Sequence, residues 1–272
     1  MSVSIYQRPT LKNSFRMKVL SHIRKWVYSQ RERNIKRRLG FCGKDNNILP
    51  PCSIGTPQNV YLYDYTLVQP GATFIIAGGE VHIHKWSSLS FNCTVVTGNH
   101  CPTVGVNQRI LERLHMNDKE SDVVVSEDCW VGANVTLLSG TNLGRGVVVG
   151  ACSLVNKEIP PYAVVVGIPA KIIATKFTLE QVLEHERMLY SEEERLSVDY
   201  LTNLFETRYK GLRSIGTDHV DARYVDALEQ NKRMQYSMER IERACVYVCV
   251  GGVVQVLKDE LMKYASVLNK AC

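Results

Sequence analysis

The sequence predicts a mainly β protein: a parallel β-helix of six-residue turns, with a helical segment before it and a helical extension after it. Three observations carry this. Aliphatic residues recur at every sixth position through Val125, Val131, Leu137, Leu143, Val149 and Val155. The residue after each is mostly small, and the residue four after each (Cys129, Val135, Thr141, Val147, Ser153, Ile159) is small or β-branched throughout. Residues 55–175 are rich in Val, Gly and Asn, whereas both flanks carry helix signals. A period of six fits neither the 3.6 of a helix nor the 2 of a simple strand; it marks a solenoid in which each hexapeptide gives one short strand and one tight turn. Asn and Gly suit the left-handed backbone of such corners.

The first element is basic. Lys and Arg crowd residues 1–40, where Glu32 is the lone acid. Leu11, Phe15, Val19, Ile23 and Val27 recur every fourth residue with Trp26 beside them, an amphipathic helix pattern. Two readings follow: a helix packed on the main body with a solvated basic face, or a helix resting peripherally on an anionic membrane surface. We set this segment at 1–50.

The second element is the repeat, set at 51–177. Upstream of Val125 the step of six recurs in two fragments, Leu62, Val68, Phe74 and Ile83, Leu89, Val95, which are separated by a step of nine. After Val95 the rhythm stops at "TGNH" and resumes at Val125, so 101–122 is an insertion in a repeat, a usual place for function. The third element, 178–272, opens with "TLEQ" at Thr178 and has "SEEE" at Ser191, two capping boxes that predict helices near 178–190 and 192–210. A polar connection through Gly216 leads to a further helical stretch, "YVDALEQNKRMQYSMERIERAC"; "ACVYVCVGGVVQVL" reads equally as buried strand or buried helix.

Composition narrows the function. Apolar residues make 45% and charged residues 22% of the 272, ordinary for a globular chain with a core. The net charge of +6 suits an anionic ligand or membrane surface, and no nucleic-acid-binding signature accompanies it. Nine cysteines, an odd number with no secretory leader before them, predict reduced thiols in a cytoplasm. Cys245 and Cys249 are spaced for a metal but lack a second pair. No run of about 18 apolar residues predicts a spanning helix.

"WVGANV", "VVGACSLV", "NKEIPPYAVVVGIPAK" and the upstream "TGNH" resemble the hexapeptide-repeat acyltransferases, in particular the acetyl-CoA-dependent branch that acetylates sugars, polysaccharides and antibiotics. The resemblance covers about 60–177. It implies a left-handed β-helix and a homotrimer with active sites between neighbouring prisms. It also implies that the insertion is an extended loop whose basal histidine, here His100, is the catalytic base. The chemistry agrees, because a neutral imidazole is suited to take the proton of an attacking hydroxyl. Asn99 reads as a substrate-orienting residue or a turn residue.

The resemblance further places acetyl-CoA as co-substrate along Trp130, Ala133, Ala151, Asn156, Lys157 and Lys171. Trp130 would line the thioester and pantetheine channel. Small Ala133 and Ala151 would let backbone meet the pantetheine arm. Asn156 and Lys157 would meet the nucleotide end, where Asn156 departs from the family's hydroxyl residue, and Lys171 would complete the phosphate site. A cysteine nucleophile at Cys101 is disfavoured beside direct transfer. His82 and His84 admit a γ-carbonic-anhydrase-like zinc reading, but their spacing does not match it, and the expectation is no metal. Tyr61, Tyr63, Tyr65, Trp86 and Phe91 read as sugar-stacking faces or, by preference, as prism packing. The expected activity is O-acetylation of a sugar of a surface polysaccharide or its precursor. The alternatives are amino-sugar N-acetylation, antibiotic acetylation and an inactive scaffold.

Overall fold

The structure is a computed structural model and describes residues 15–231. Its centre is a three-sided prism of stacked coils. On the first face Cys42, Leu62, Ile83, Val125 and Leu143 lie over one another in parallel register. On the second face Ile48, Val68, Leu89, Val131, Val149 and Val165 do so, and on the third Ile54, Phe74, Val95, Leu137 and Val155. From Leu62 to Val155 these are the residues of the six-step series, which Cys42, Ile48, Ile54 and Val165 extend at either end, and from Leu62 to Val165 every one is buried. Burial of the row removes apolar surface from water at about 25 cal/mol per Å².

The positions four residues on form the corners of the core. Cys129, Val135, Thr141, Val147, Ser153 and Ile159 are all buried. Where such a corner residue is polar, it bonds backbone: Ser87 Oγ donates to the Ser126 carbonyl at 2.6 Å, and Thr141 Oγ1 to that of Val155 at 3.0 Å. Burial pushes the Cys93 thiol up to about 11 and the Cys129 thiol up to about 12, so both are inert core residues.

Two corners turn through left-handed backbone. Tyr65, Trp86 and Asp128 occupy it at one, Asn92, Asn134 and Cys152 at the other. A bulky Tyr or Trp there is strained. The strain is offset by a ladder in which each N–H bonds a carbonyl of the coil before: Trp86 to Asp64 at 3.2 Å, Asp128 to Lys85 at 3.1 Å, Cys152 to Ala133 at 2.8 Å.

The prism begins earlier than the sequence reading placed it. Phe41–Cys42 and Asn47–Ile48, inside the segment assigned to 1–50, already pair in parallel with Tyr61–Leu62 and Leu67–Val68. The step from Ile54 to Leu62 exceeds six, and that break in phase concealed the first coil.

Helix α1 (Phe15–Lys36) caps this end. Its last turns make the contact: Lys36 Nζ donates to the Asn46 carbonyl, Glu32 accepts from the Ile48 N–H at 3.4 Å, and Ile35 packs on the core. Residues 1–14, and with them Leu11, lie outside the described residues.

The insertion departs from an extended loop by holding helix α2 (Gln108–Leu114). Asn107 caps it by accepting from the Ile110 N–H at 3.0 Å, and Leu111 is its buried anchor. Gly98–Asn99 pairs antiparallel with Lys119–Glu120 and closes the base of the insertion.

At the far end, Ala163–Gly167 and Ala170–Thr175 make an antiparallel hairpin on the second face. Helices α3 (Leu179–Leu189) and α4 (Val198–Thr207) follow. Thr178 and Gln181 form the expected capping box. The box expected at Ser191 does not form, and Ser191–Ser197 is a turn leading to α4, which Ser197 caps. Tertiary partners take its groups: Glu194 pairs with Lys85 at 3.2 Å, and the Leu196 N–H bonds Glu186.

Glu186 is 2% exposed and anchors α3. It accepts from Arg145 at 2.8 Å, Tyr162 at 2.5 Å and the Leu196 N–H at 3.1 Å. Residues from Thr217 form a separate unit, seen as a short turn at Ala222–Tyr224 and the start of a helix. "ACVYVCVGGVVQVL" lies outside the described residues. No helix among the described residues is long and apolar enough to cross a membrane.

Candidate active site

His100 stands where the chain leaves the third face. Thr97, buried at the corner, accepts from the Ser121 N–H at 2.9 Å and the Ser139 hydroxyl at 2.8 Å, so the insertion departs and returns at one point. The antiparallel pairing of Asn99 with Lys119 brings Asp118 beside His100. His100 Nδ1 lies 2.9 Å from Asp118 Oδ1, and His115 Nδ1 lies 2.9 Å from Asp118 Oδ2. The carboxylate is 10% exposed, His100 34% and His115 66%.

The hydrogen bond from His100 is the largest influence on Asp118 and lowers it below the usual carboxylate range; partial burial opposes this and the bond from His115 adds to it. An ionised carboxylate only accepts hydrogen bonds. The bond therefore requires a proton on His100 Nδ1 and leaves Nε2 of the neutral ring as a free base. Sequence reasoning found His100 through the broken rhythm and missed Asp118. The near repetition of His and Asp in "HMND" was the signal available.

The residues expected on the acetyl-CoA side occupy the two coils after the insertion, except Lys171, which lies on the terminal hairpin. Trp130 stands on the second face between Ser88 and Val148 and is 60% exposed. It lines a cleft of about 440 Å³ with Trp86, Ser88, Ser90 and Lys176, within the usual range for ligand pockets. Lys176, another residue the sequence reading passed over, is fixed by Asp128 at 2.6 Å.

Ala133 and Ala151 stack at the next corner, where a Cβ on Gly132 would come within 2.6 Å of the Ala151 nitrogen, so only glycine permits that approach. Asn156 and Lys157 are exposed at the corner of the third face. Val95, Leu137 and Val155 are in register there, which puts Lys157 two coils beyond Thr97, roughly 10 Å along the axis at about 4.8 Å per strand. Lys171 is exposed on the hairpin opposite Val166. Asn99 is exposed in the ribbon. His100 does not line the Trp130 cleft: within one chain His100 and that cleft face different sides of the prism.

His82 and His84 do not join His100. His82 stacks on Tyr61 at 4.6 Å and pairs with Glu80 at 2.9 Å, while His84 stacks on Tyr63 at 4.4 Å. These contacts occupy ring faces of Tyr61 and Tyr63 and make them a packing ladder. Two groups among the described residues bring potential metal-ligand atoms within 4.8 Å of one another, His100–His115–Asp118 and Glu80–His82–Asp122.

Residues 122–157, the coils that carry Trp130, Ala133, Ala151 and Lys157, match the model described as bacterial transferase hexapeptide (six repeats). These coils are hexapeptide repeats. Its prism is the left-handed parallel β-helix that the resemblance implies.

A chloramphenicol acetyltransferase of Klebsiella aerogenes is 34% identical over 112 residues, covering 41% of this chain and 49% of that protein. A putative lipopolysaccharide biosynthesis O-acetyl transferase, WbbJ, of Escherichia coli strain K12 is 46% identical over 72 residues, covering 26% and 33%. The chain thus spans about half or less of the length of these curated relatives. A solved hexapeptide-repeat acetyltransferase of Vibrio cholerae, complexed with acetyl-CoA, aligns with a TM-score of 0.49 at 21% identity, over 60% of this chain and 90% of that one.

Proposed function

We propose that the protein transfers acetyl from acetyl-CoA to a hydroxyl of a sugar belonging to a surface polysaccharide or its precursor. The observation that carries the reading is His100 held by Asp118 at the base of an insertion in a hexapeptide prism. Nε2 takes the proton of the acceptor hydroxyl as its oxygen forms a bond to the thioester carbonyl carbon. The tetrahedral intermediate then loses the coenzyme thiolate, which recovers the proton from the imidazolium. General-base catalysis of this kind contributes roughly 10²–10⁴-fold.

Asp118 is a positioning residue, acting through the His100 tautomer. Trp130, Ala133, Ala151, Asn156, Lys157 and Lys171 are proposed to hold the coenzyme, with Asn99 facing the acceptor. A homotrimer completes the site by setting one chain's His100 against a neighbour's coenzyme face. The separation of His100 from the Trp130 cleft supports this, as do exposed Ile75, Phe91, Trp130 and Ile168 on the prism. The six described cysteines are free thiols, which agrees with a reducing cytoplasm.

The relatives named chloramphenicol acetyltransferase favour one second reading, an antibiotic acceptor. Incubation with acetyl-CoA and separate nucleotide sugars, glycans or chloramphenicol, with released thiol as readout, distinguishes the two. His100→Ala is expected to abolish release by at least about 10²-fold while the trimer and acetyl-CoA binding persist. Retention of more than about a tenth of the activity would remove His100 as the base.

A further inference from the structure

Helix α1 is turned the unexpected way. Its contact with the prism is made by Glu32, Ile35 and Lys36, and Arg24, Lys25, Tyr28 and Ser29 border a cleft of about 540 Å³ above Leu49 and Pro50. Leu20, Ile23 and Trp26 follow at three-residue spacing, which keeps them on one side of a helix. That side faces away from the body: they are 64%, 52% and 62% exposed. An amphipathic helix normally buries its apolar stripe against its own core; this one presents it outward.

The charge beside the stripe identifies what covers it. Arg31, Arg33, Arg37 and Arg38 are exposed along and just beyond the helix. Glu32, the lone acid of the segment, is spent on Lys36 at 2.8 Å and on the prism. A stripe of Leu, Ile and Trp edged by Arg that pairs with no acid among the described residues matches the boundary between acyl chains and anionic headgroups, where a Trp ring is also favoured. The surface of a second protein would need an apolar groove ringed by acids to match the same stripe.

We propose that α1 docks the protein on an anionic lipid bilayer, with Leu20, Ile23 and Trp26 inserted at the interface and the neighbouring basic residues over the headgroups. The proposal is independent of the acetyl-transfer reading. If the chain is also a trimer, rotational symmetry sets three copies of α1 at one end of the assembly, and engagement of one raises the effective concentration of the others.

The test is co-sedimentation of the full chain with phosphatidylcholine vesicles, with and without phosphatidylglycerol. Binding is expected only with the anionic lipid, and it is expected to weaken as salt screens the charges. The triple variant Leu20→Ser, Ile23→Ser, Trp26→Ser keeps every charge and is expected to lose at least about tenfold in partitioning, from the apolar burial it forgoes. Arg31→Gln and Arg33→Gln are each expected to lose about fivefold, the equivalent of about 1 kcal/mol per basic residue at such a surface.

Circular dichroism and gel filtration confirm that the exposed-site variants remain folded. Equal binding by the triple variant and the wild type overturns the proposal, as does binding that ignores lipid charge. Absence of vesicle binding, together with a self-association that the triple variant abolishes, overturns it in favour of a second copy as the occupant. Vesicle binding that disappears when residues 1–14 are removed, with the stripe intact, moves the docking element out of α1 and also overturns it.

Discussion

Asp118→Asn tests whether the His100 pair is catalytic machinery or a clasp that shuts the loop. The change keeps size and removes charge. A carboxylate can bond His100 Nδ1 only when that nitrogen carries the proton, whereas an asparagine amide offers both a carbonyl and an NH₂ and can satisfy either tautomer. Part of the population then carries its proton on Nε2, where it cannot act as a base, and the ring loses the partner 2.9 Å away that fixes its plane.

The ceiling on the loss is the whole general-base contribution, roughly 10²–10⁴-fold, since Asp118 acts through His100. A displaced reacting group alone costs about 10²-fold. We therefore expect kcat to fall about 10²-fold, with KM for acetyl-CoA unchanged. The assay is steady-state thiol release with the fastest acceptor of the panel, run on Asp118→Asn, His100→Ala and the double variant. Residues acting as one unit are non-additive, so the double variant should match His100→Ala. A Asp118→Asn rate within twofold of wild type, or a double variant whose losses multiply, would refute the reasoning. His115→Phe is the control: it removes the other, 66% exposed partner of Asp118 and should leave most of the activity.

Lys157→Ala should raise KM for acetyl-CoA with kcat at saturation little changed, because a phosphate contact remote from the reacting carbon holds ground and transition states alike; an unchanged KM removes Lys157 from the site. Glu186→Ala should cost roughly 1–3 kcal/mol in urea unfolding, the usual loss when buried donors lose a charged acceptor, since it leaves Tyr162 and the Leu196 N–H without their partner while Arg145 keeps Glu127 at 3.4 Å and the Glu194 carbonyl at 3.0 Å; a loss under about 0.5 kcal/mol would show the anchor to be dispensable. Burial pushes Asp128 up, but hydrogen bonds and charge from His185 and Lys176 outweigh it and bring the carboxyl below its ordinary 3.8. A depressed carboxyl contributes stability that is present above its unfolded value and lost as pH falls through the folded one, so the melting temperature should drop more steeply below about pH 4 in wild type than in Asp128→Asn.

What the sequence made legible follows from where the determining contacts lie. The axial rows were readable because each coil repeats one local rule, so Val125 to Val155 declare the prism without reference to any distant residue. His100 was readable because it breaks that rule. Asp118 was not, because its bond to His100 spans the whole insertion and exists only once Asn99 pairs with Lys119. The first coil was hidden by an irregular step between Ile54 and Leu62. The helix expected at Ser191 fails for a related reason: a local capping preference worth about 1 kcal/mol gives way to Glu186 in the preceding helix and to Lys85 and Arg145, both distant in sequence. The outward turn of Trp26 was equally beyond reach, since a stripe fixes which residues share a side but not which side meets the body.

The closure of the insertion at Thr97 has an architectural consequence. Ile83 stacks on Val125 and Val95 on Leu137 as though residues 98–121 were absent. The solenoid therefore neither registers the length of the excursion nor depends on its sequence, provided the strand ribbon that seals it is kept. Under the proposed function, coenzyme chemistry and acceptor choice are thereby written in separable pieces: one in a rail of hexapeptides, the other in a cassette joined to it at a single point. Lengthening, shortening or exchanging the cassette leaves the rail intact. Such a scaffold can vary its insertion without renegotiating its core.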